Sequence, residues 1–204
     1  MPLLGLWGRV LAVTGLTGLL LSGCNLPDDF KVEIRLAEDG RYALSYHGIL
    51  IWVPLHEEIL RGKLKGTEIE EKIRAFENDI KRDSHFRDVR SLGGGRYKMH
   101  YQREGRIEKT GQVTFIRRNV ALLVLKALPE GTVAVTVPLS KRASFKQLEV
   151  LGLSVRGMLR VATGLPVLEH NAQTVKLLGP FRIYEWSVTP TLTHTPRLVA
   201  RRDG

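Results

Sequence analysis

The chain has 204 residues, with 31 Lys plus Arg, 21 Asp plus Glu and a single cysteine. This length supports one ordinary domain or two very small ones, and 43% hydrophobic with 25% charged residues excludes wholesale disorder and collagen-like repeats. One cysteine excludes an intramolecular disulfide framework and any zinc site built from several thiolates, while the net charge of +10 favours an acidic partner without naming it.

In chain order, Arg9 is the only charge before Cys24, and Val10 to Leu21 is an apolar stretch interrupted by glycine. About 12 apolar residues are too few for a bilayer span, which needs ~20, and they suit the h-region of an export signal. Leu21-Ser22-Gly23-Cys24 then resembles the lipobox of bacterial lipoproteins. The resemblance implies removal of residues 1–23 as a signal peptide and a diacylglyceryl thioether on Cys24. The amine freed by cleavage would take a further acyl chain of the palmitate type. More than one chain gives durable anchoring, because each buried methylene contributes roughly 0.8 kcal/mol. A thiol consumed by lipid is no nucleophile, which removes cysteine catalysis from the mature form. Asn25, where inner-membrane lipoproteins often carry Asp, leans toward the outer membrane if the organism has two.

Residues 24–30 are a short anchored lead, and residues 31–190 are expected to form a single domain. Val32, Ile34 and Leu36 alternate with charged residues, Asp39-Gly40 is a turn signal, and Tyr42, Leu44 and Tyr46 resume the alternation. That pattern predicts a β-hairpin. Ile49 to Val53 extends the second strand or begins another, and a short helix is expected within Leu55 to Leu64. Thr67 with Glu70 gives a capping-box pattern, and Ile69, Ile73, Phe76 and Ile80 then line one face of the principal predicted helix.

Strands return from Phe86. Gly93-Gly94-Gly95 reads as a loop, Tyr97, Met99 and Tyr101 alternate with basic residues, and Glu104-Gly105 is expected to turn the chain. Val113 and Phe115, the apolar run Val120 to Leu125, and Val133, Val135 and Val137 after Pro129-Glu130-Gly131 all read as strand. Phe145 to Leu151 suggests a short helix. Met158 to Ala162 and Phe181 to Val188 suggest strands, separated by a loop-rich stretch. Residues 191–204 are expected to be a frayed basic tail. The resulting fold class is α+β: a mainly antiparallel sheet or partial β-barrel with one long amphipathic helix packed on it. No second apolar span is visible, so lipid is the only membrane contact expected.

Charge is uneven. Residues 24–86 carry 10 basic and 13 acidic side chains, residues 87–118 carry 9 and 3, and residues 141–204 carry 10 and 4. Arg96, Lys98 and His100 share one strand face, with Arg103, Arg106 and Lys109 expected around the next turn and Arg117 and Arg118 beside them. These seven Lys and Arg residues are the candidate anionic-ligand site, since each basic residue near a lipid surface contributes roughly 1 kcal/mol. Tyr97 and Tyr101 resemble a base-stacking platform, but alternation turns them away from the arginines, and export removes nucleic acid from reach.

No metal site or cofactor is expected, because the six histidines form no HxxxH, HExxH or Cys/His pattern. The His56-Glu57-Glu58 trio points in different directions on a helix. Asp28-Asp29 and Glu70-Glu71 sit where solvation is expected. The serine motifs GxSxG and SxxK are missing.

A wider likeness rests on the lipobox, the Asp39-Gly40 hairpin, Val161-Ala162-Thr163, Pro166-Val167, His170-Asn171-Ala172 and Tyr184-Glu185-Trp186. These resemble LppM-type bacterial lipoproteins. The resemblance implies a β-rich envelope domain with lipid contact and no catalytic residues.

The functional expectation is a non-enzymatic, membrane-anchored envelope lipoprotein that binds an anionic lipid headgroup or cell-wall polymer. One alternative is an assembly factor that contacts a protein partner through the Ile/Phe helix face or the Trp186 strand edge. Another is a hydrolase of envelope lipid or cell wall using His100, His170 or nearby carboxylates.

Overall fold

The computed structural model describes residues 25–115, 121–138, 145–192 and 194–202. The lipidation candidate Cys24 and the basic pair Arg117 and Arg118 lie outside these residues.

The predicted hairpin is the first element. β1 (Asn25–Leu36) pairs antiparallel with β2 (Arg41–Trp52), and Gly40 takes the positive φ of 81° that the turn demands. The run Ile49 to Trp52 extends β2, and the chain then enters α1 (Val53–Leu60) with a proline in its first turn. Next comes α2 (Thr67–Lys81), whose N-cap is Gly66 with no side-chain cap, so the Thr67/Glu70 capping box does not form. The triglycine turn joins β3 (Phe86–Gly93) to β4 (Arg96–Arg106). β4 runs straight through Glu104-Gly105, where a turn was expected.

β5 (Gln112–Phe115), β6 (Leu123–Leu128) and β7 (Thr132–Thr136) follow as antiparallel neighbours, then α3 (Phe145–Val150) and β8 (Gly157–Thr163). The stretch read as loop contains β9 (Val167–His170) and β10 (Thr174–Leu178), and β11 (Phe181–Val188) comes next. The tail expected to fray is β12 (Arg197–Arg201), with Leu198 and Ala200 fully buried.

These strands build two sheets, a seven-stranded one ordered β10-β11-β8-β1-β2-β4-β3 and a five-stranded one ordered β5-β6-β7-β12-β9. The expected α+β class is therefore corrected: the fold is mostly β, with short helices at its margins. It is not a closed barrel, since β10, β3, β5 and β9 remain edges among the described residues. The layer assigned to a long helix is supplied by the smaller sheet. Tyr46 and Tyr101 on the larger sheet meet Phe115 on the smaller one at ring-centroid distances of 4.9 and 4.7 Å. Of the α2 residues only Ile80 is buried, while Phe76 packs on Trp52 and Tyr97 at the β4 margin.

One pairing departs from antiparallel order. β1 and β8 are parallel, which is sterically simple because β2 to α3 all lie between them in sequence. The pair is shaped by a bulge: Asp29 has φ 44°, the β1–β2 register shifts between Asp28 and Lys31, and Phe30 enters the gap. A Cβ on Gly157 would lie 2.5 Å from the Phe30 ring, and one on Gly48 would lie 2.6 Å from Phe30 Cβ. Glycine is required at both places by close approach.

Asn171 bridges the two sheets, and Thr163 closes the end of the β1–β8 pair. Asn171 Oδ1 accepts from Trp186 Nε1 (2.9 Å) on the larger sheet and from the Arg197 amide (2.8 Å) on the smaller. Thr163 Oγ1 donates to the Leu36 carbonyl (3.0 Å) and accepts from the Leu165 amide (3.1 Å). Trp186 is 1% exposed on β11, an interior strand, so it offers no edge to a partner.

Candidate functional site: the open face of the larger sheet

Because side chains alternate across a strand, each strand that lines the core also supplies a second face. On β1 the residues Val32, Ile34 and Leu36 are buried, while Lys31 and Arg35 are exposed and Glu33 is half-buried. The outer face divides into two halves. At the end where β1 starts and β2 finishes, Ile51 and Val53 pack with Leu148, Leu153 and Val155, so the segment from α3 to Val155 covers that half. The other half is uncovered.

Under the cover lies Asp28, 4% exposed, which accepts from Arg96 Nη2 (3.2 Å) and Ser154 Oγ (3.4 Å). Solvation was expected here, and the structure instead buries the carboxylate in an ion pair. The adjacent His47 and His100, directly opposite one another on β2 and β4, stack at 3.9 Å. Burial, the His100 ring and Lys31 hold the His47 imidazole below its ordinary pKa, against the opposing pull of Glu33.

The uncovered half is a groove of about 1040 Å³. Ala43, Ala162 and Ile183 form its floor, and Leu178 and Phe181 of the β10–β11 hairpin rise along one side. Ala43 on β2 and Ala162 on β8 both lie directly opposite Arg35 of the intervening β1, so the short side chains leave space on either side of the Arg35 stem. Arg35 rises between the two alanines, and Arg41, Arg106 and Arg160 line the groove with Glu33 and Glu104, leaving the lining net positive. Arg41 and Arg106 approach Asp39 at 2.6 and 3.5 Å, yet remain 73% and 59% exposed. Beside the floor, Glu185 accepts from Lys176 at 2.6 Å and from Arg160 Nε and Nη2 at 2.9 and 2.6 Å. These bonds, Lys176 first and then Arg160, hold the Glu185 carboxyl below its ordinary range despite burial. The network fixes the Arg160 guanidinium beside the groove.

The predicted basic residues are dispersed. Arg96 is committed to Asp28 beneath the cover. Lys98 is exposed on the same face, beside the half-buried His100. Arg103 has the opposite parity and lines a smaller recess of about 300 Å³ with Tyr42, His85 and Gly111. Arg106 reaches the groove, and Lys109 is exposed between β4 and β5. Sequence reasoning missed Arg35, Arg41 and Arg160. Their strand parity was legible, but the β8–β1–β2 adjacency that joins them was not.

The histidines named for hydrolysis are placed otherwise: His100 stacks on His47, and His170 packs edge-on against Tyr184 at 4.8 Å. His85 does meet Asp83, through both its backbone amide (3.0 Å) and Nδ1 (2.6 Å), which makes a local turn contact. The helix face named for a protein partner is occupied, with Phe76 stacked on Trp52. Among the described residues no cluster of three His, Cys, Asp or Glu side chains could hold a metal, and no helix is long and apolar enough to cross a membrane.

No family model matches the chain, and no curated protein matches it either. Among solved structures it is similar to the folded domain of the LppM protein from Mycobacterium tuberculosis, determined by NMR. That likeness has 13% identity and a TM-score of 0.38, and covers 88% of this chain and 93% of the other. No function follows from a likeness at that score.

Proposed function

We propose that this protein is a lipid-anchored component of a bacterial cell envelope whose open sheet face binds an anionic amphiphile without chemical turnover. The observation that carries this reading is the groove itself. The apolar lining of Ala162, Ile183, Leu178 and Phe181 suits acyl or other hydrocarbon surface, and the exposed guanidiniums beside it, Arg35 among them, suit phosphate or carboxylate. Glu33 and Glu104 in the lining favour a headgroup that also carries hydroxyl or ammonium donors. Anchoring through Cys24 rests on the lipobox.

The test is binding of a fluorescent-acyl phosphatidylglycerol and of the uncharged diacylglycerol with the same chains. The wild-type domain is expected to prefer the anionic ligand, and Arg35→Glu/Arg41→Glu/Arg106→Glu to lose at least ~10-fold in affinity with its fold unchanged. Equal binding of both ligands, or an unaffected triple variant, would sink the groove reading. Anchoring is checked separately by mass spectrometry of the mature N-terminus, where acylated Cys24 is expected and Cys24→Ser should release the chain from membranes.

A second reading is favoured by one observation. β10 is an edge strand with every residue exposed, and Val175 and Leu177 lie along it at 44% and 77% exposure. Such an edge suits strand addition by a protein partner. A partner recovered by cross-linking from position 177, and lost on Val175→Pro, would support it.

A further inference from the structure

The start of β1 has a consequence for how the domain sits. Asn25 is already a strand residue, paired with Trp52. A lipid on Cys24 would therefore leave no tether between membrane and sheet, and the end of the sheet beside Asn25 would lie against the bilayer. That end is closely built. The Trp52 amide donates to the Gly95 carbonyl (2.8 Å), and His56 on α1 places Nδ1 2.7 Å from the Gly94 carbonyl and Nε2 3.1 Å from the Leu151 carbonyl. One imidazole thus ties α1, the β3–β4 turn and the chain after α3 into one platform beside the anchor.

Three large apolar side chains stand exposed around this platform. Val150, just before Leu151, is 80% exposed; Leu60, one helical turn after His56, is 57%; and Leu92, just before the triglycine turn, is 47%. Exposed Lys63 and Lys65 lie in the loop after α1. The nearby Glu57 and Glu58 are neutralised by Arg61 (2.6 Å) and Lys72 (2.5 Å), which leaves as exposed acids Glu149 beside Val150 and Glu68, whose Oε2 accepts from the Lys65 amide (3.4 Å).

We propose that this end is a membrane seat: Leu60, Leu92 and Val150 enter the interface of an anionic bilayer, with Lys63 and Lys65 against its headgroups. The proposal rests on the anchored reading of Cys24 and deepens it by fixing orientation. β1 rises about 3.3 Å per residue, so its far end, where Arg35 and Arg41 flank the groove, stands roughly 35–40 Å above that bilayer. The groove then opens toward material presented from beyond the anchoring membrane. A second exposed apolar group, Leu177, Leu178 and Phe181, lies at that far end and away from the seat.

The seat is tested without acylation, so that its failure is separate from failure of the lipobox. The mature chain with Cys24→Ser has no other cysteine, and Val150→Cys or Leu177→Cys in that background takes an environment-sensitive fluorophore. Leu177 lies at the far end of the sheet and outside the groove lining. With vesicles of phosphatidylglycerol and phosphatidylethanolamine, the label at 150 is expected to shift to the blue and the label at 177 to stay unchanged. Partitioning of the unlabelled chain is expected to fall at least ~10-fold in Leu60→Ser/Leu92→Ser/Val150→Ser, and to fall much less in Leu177→Ser. All four positions are exposed, and a thermal melt confirms that each variant folds. A shift at 177 with none at 150, or no binding of the unacylated chain to these vesicles, would overturn the seat. If Cys24 proves not to be acylated, the vesicle measurement stands unaltered and only the anchoring falls.

Discussion

The two faces of the seven-stranded sheet are made by the same strands and share almost nothing else. The inner face, with Ile34, Leu44, Tyr46, Val161 and Trp186, is closed by the five-stranded sheet and carries the stability. The outer face is half covered by the chain around α3 and half open, and its open half carries charged groups held by one another rather than by packing. Alternation sends one residue in two to each environment, so one hairpin supplies both the core and the charged open groove. The contrast separates core packing from the groove lining by residue parity.

The strongest challenge to that separation is Trp186→Ala. Loss of its buried ring and of the Nε1 bond to Asn171 is expected to cost about 3–5 kcal/mol in denaturant unfolding, whereas Lys31→Ala on the outer face of β1 should stay within about 0.5. Comparable losses at the two positions would erase the distinction. Next comes Asp28→Ala, which tests the covered half of the outer face. Arg96 would lose its carboxylate partner, though at 32% side-chain exposure it can turn partly to water, so a loss of about 1–3 kcal/mol is expected. No measurable change would place that half with the open face energetically.

The smallest effect concerns the stacked imidazoles. His47 has its pKa lowered by folding, so the unfolded chain binds the proton more readily. Its contribution is fully present above the unfolded value of about 6.5 and is lost as pH falls through that value toward the folded one. Unfolding free energy should therefore decline between neutral and mildly acidic pH, and His47→Asn should flatten that decline. An unchanged slope in the variant would show that the His47–His100 stack is not linked to stability.

Much of the first hairpin was readable because Asp39-Gly40 and a strict period of two are local signals, and β6 and β7 followed from theirs. The final strands were not. Every residue of β10 is exposed, so no alternation of polarity marks it, and β12 is five residues with three consecutive buried ones, as befits a strand enclosed by neighbours. With β9, β10 and β12 read as loop and tail, the smaller sheet went unrecognised, and the predicted helix was given the task of covering the larger one. The same gap hid the groove. Arg35, Arg41 and Arg160 come from β1, β2 and β8, and nothing local joins residue 35 to residue 160.

By itself the sequence determined the Asp39-Gly40 turn, the faces on which Val32, Ile34 and Leu36 of β1, Tyr42, Leu44 and Tyr46 of β2 and Tyr97, Met99 and Tyr101 of β4 would lie, and the excess of positive charge after residue 86. These follow from chemistry within a few residues of each position. Tertiary structure decided which faces were covered, which arginine was committed to a buried carboxylate and which were left beside an apolar floor. Those outcomes depend on strand order and on the parallel β1–β8 pairing, contacts across more than 100 residues that composition and periodicity do not encode.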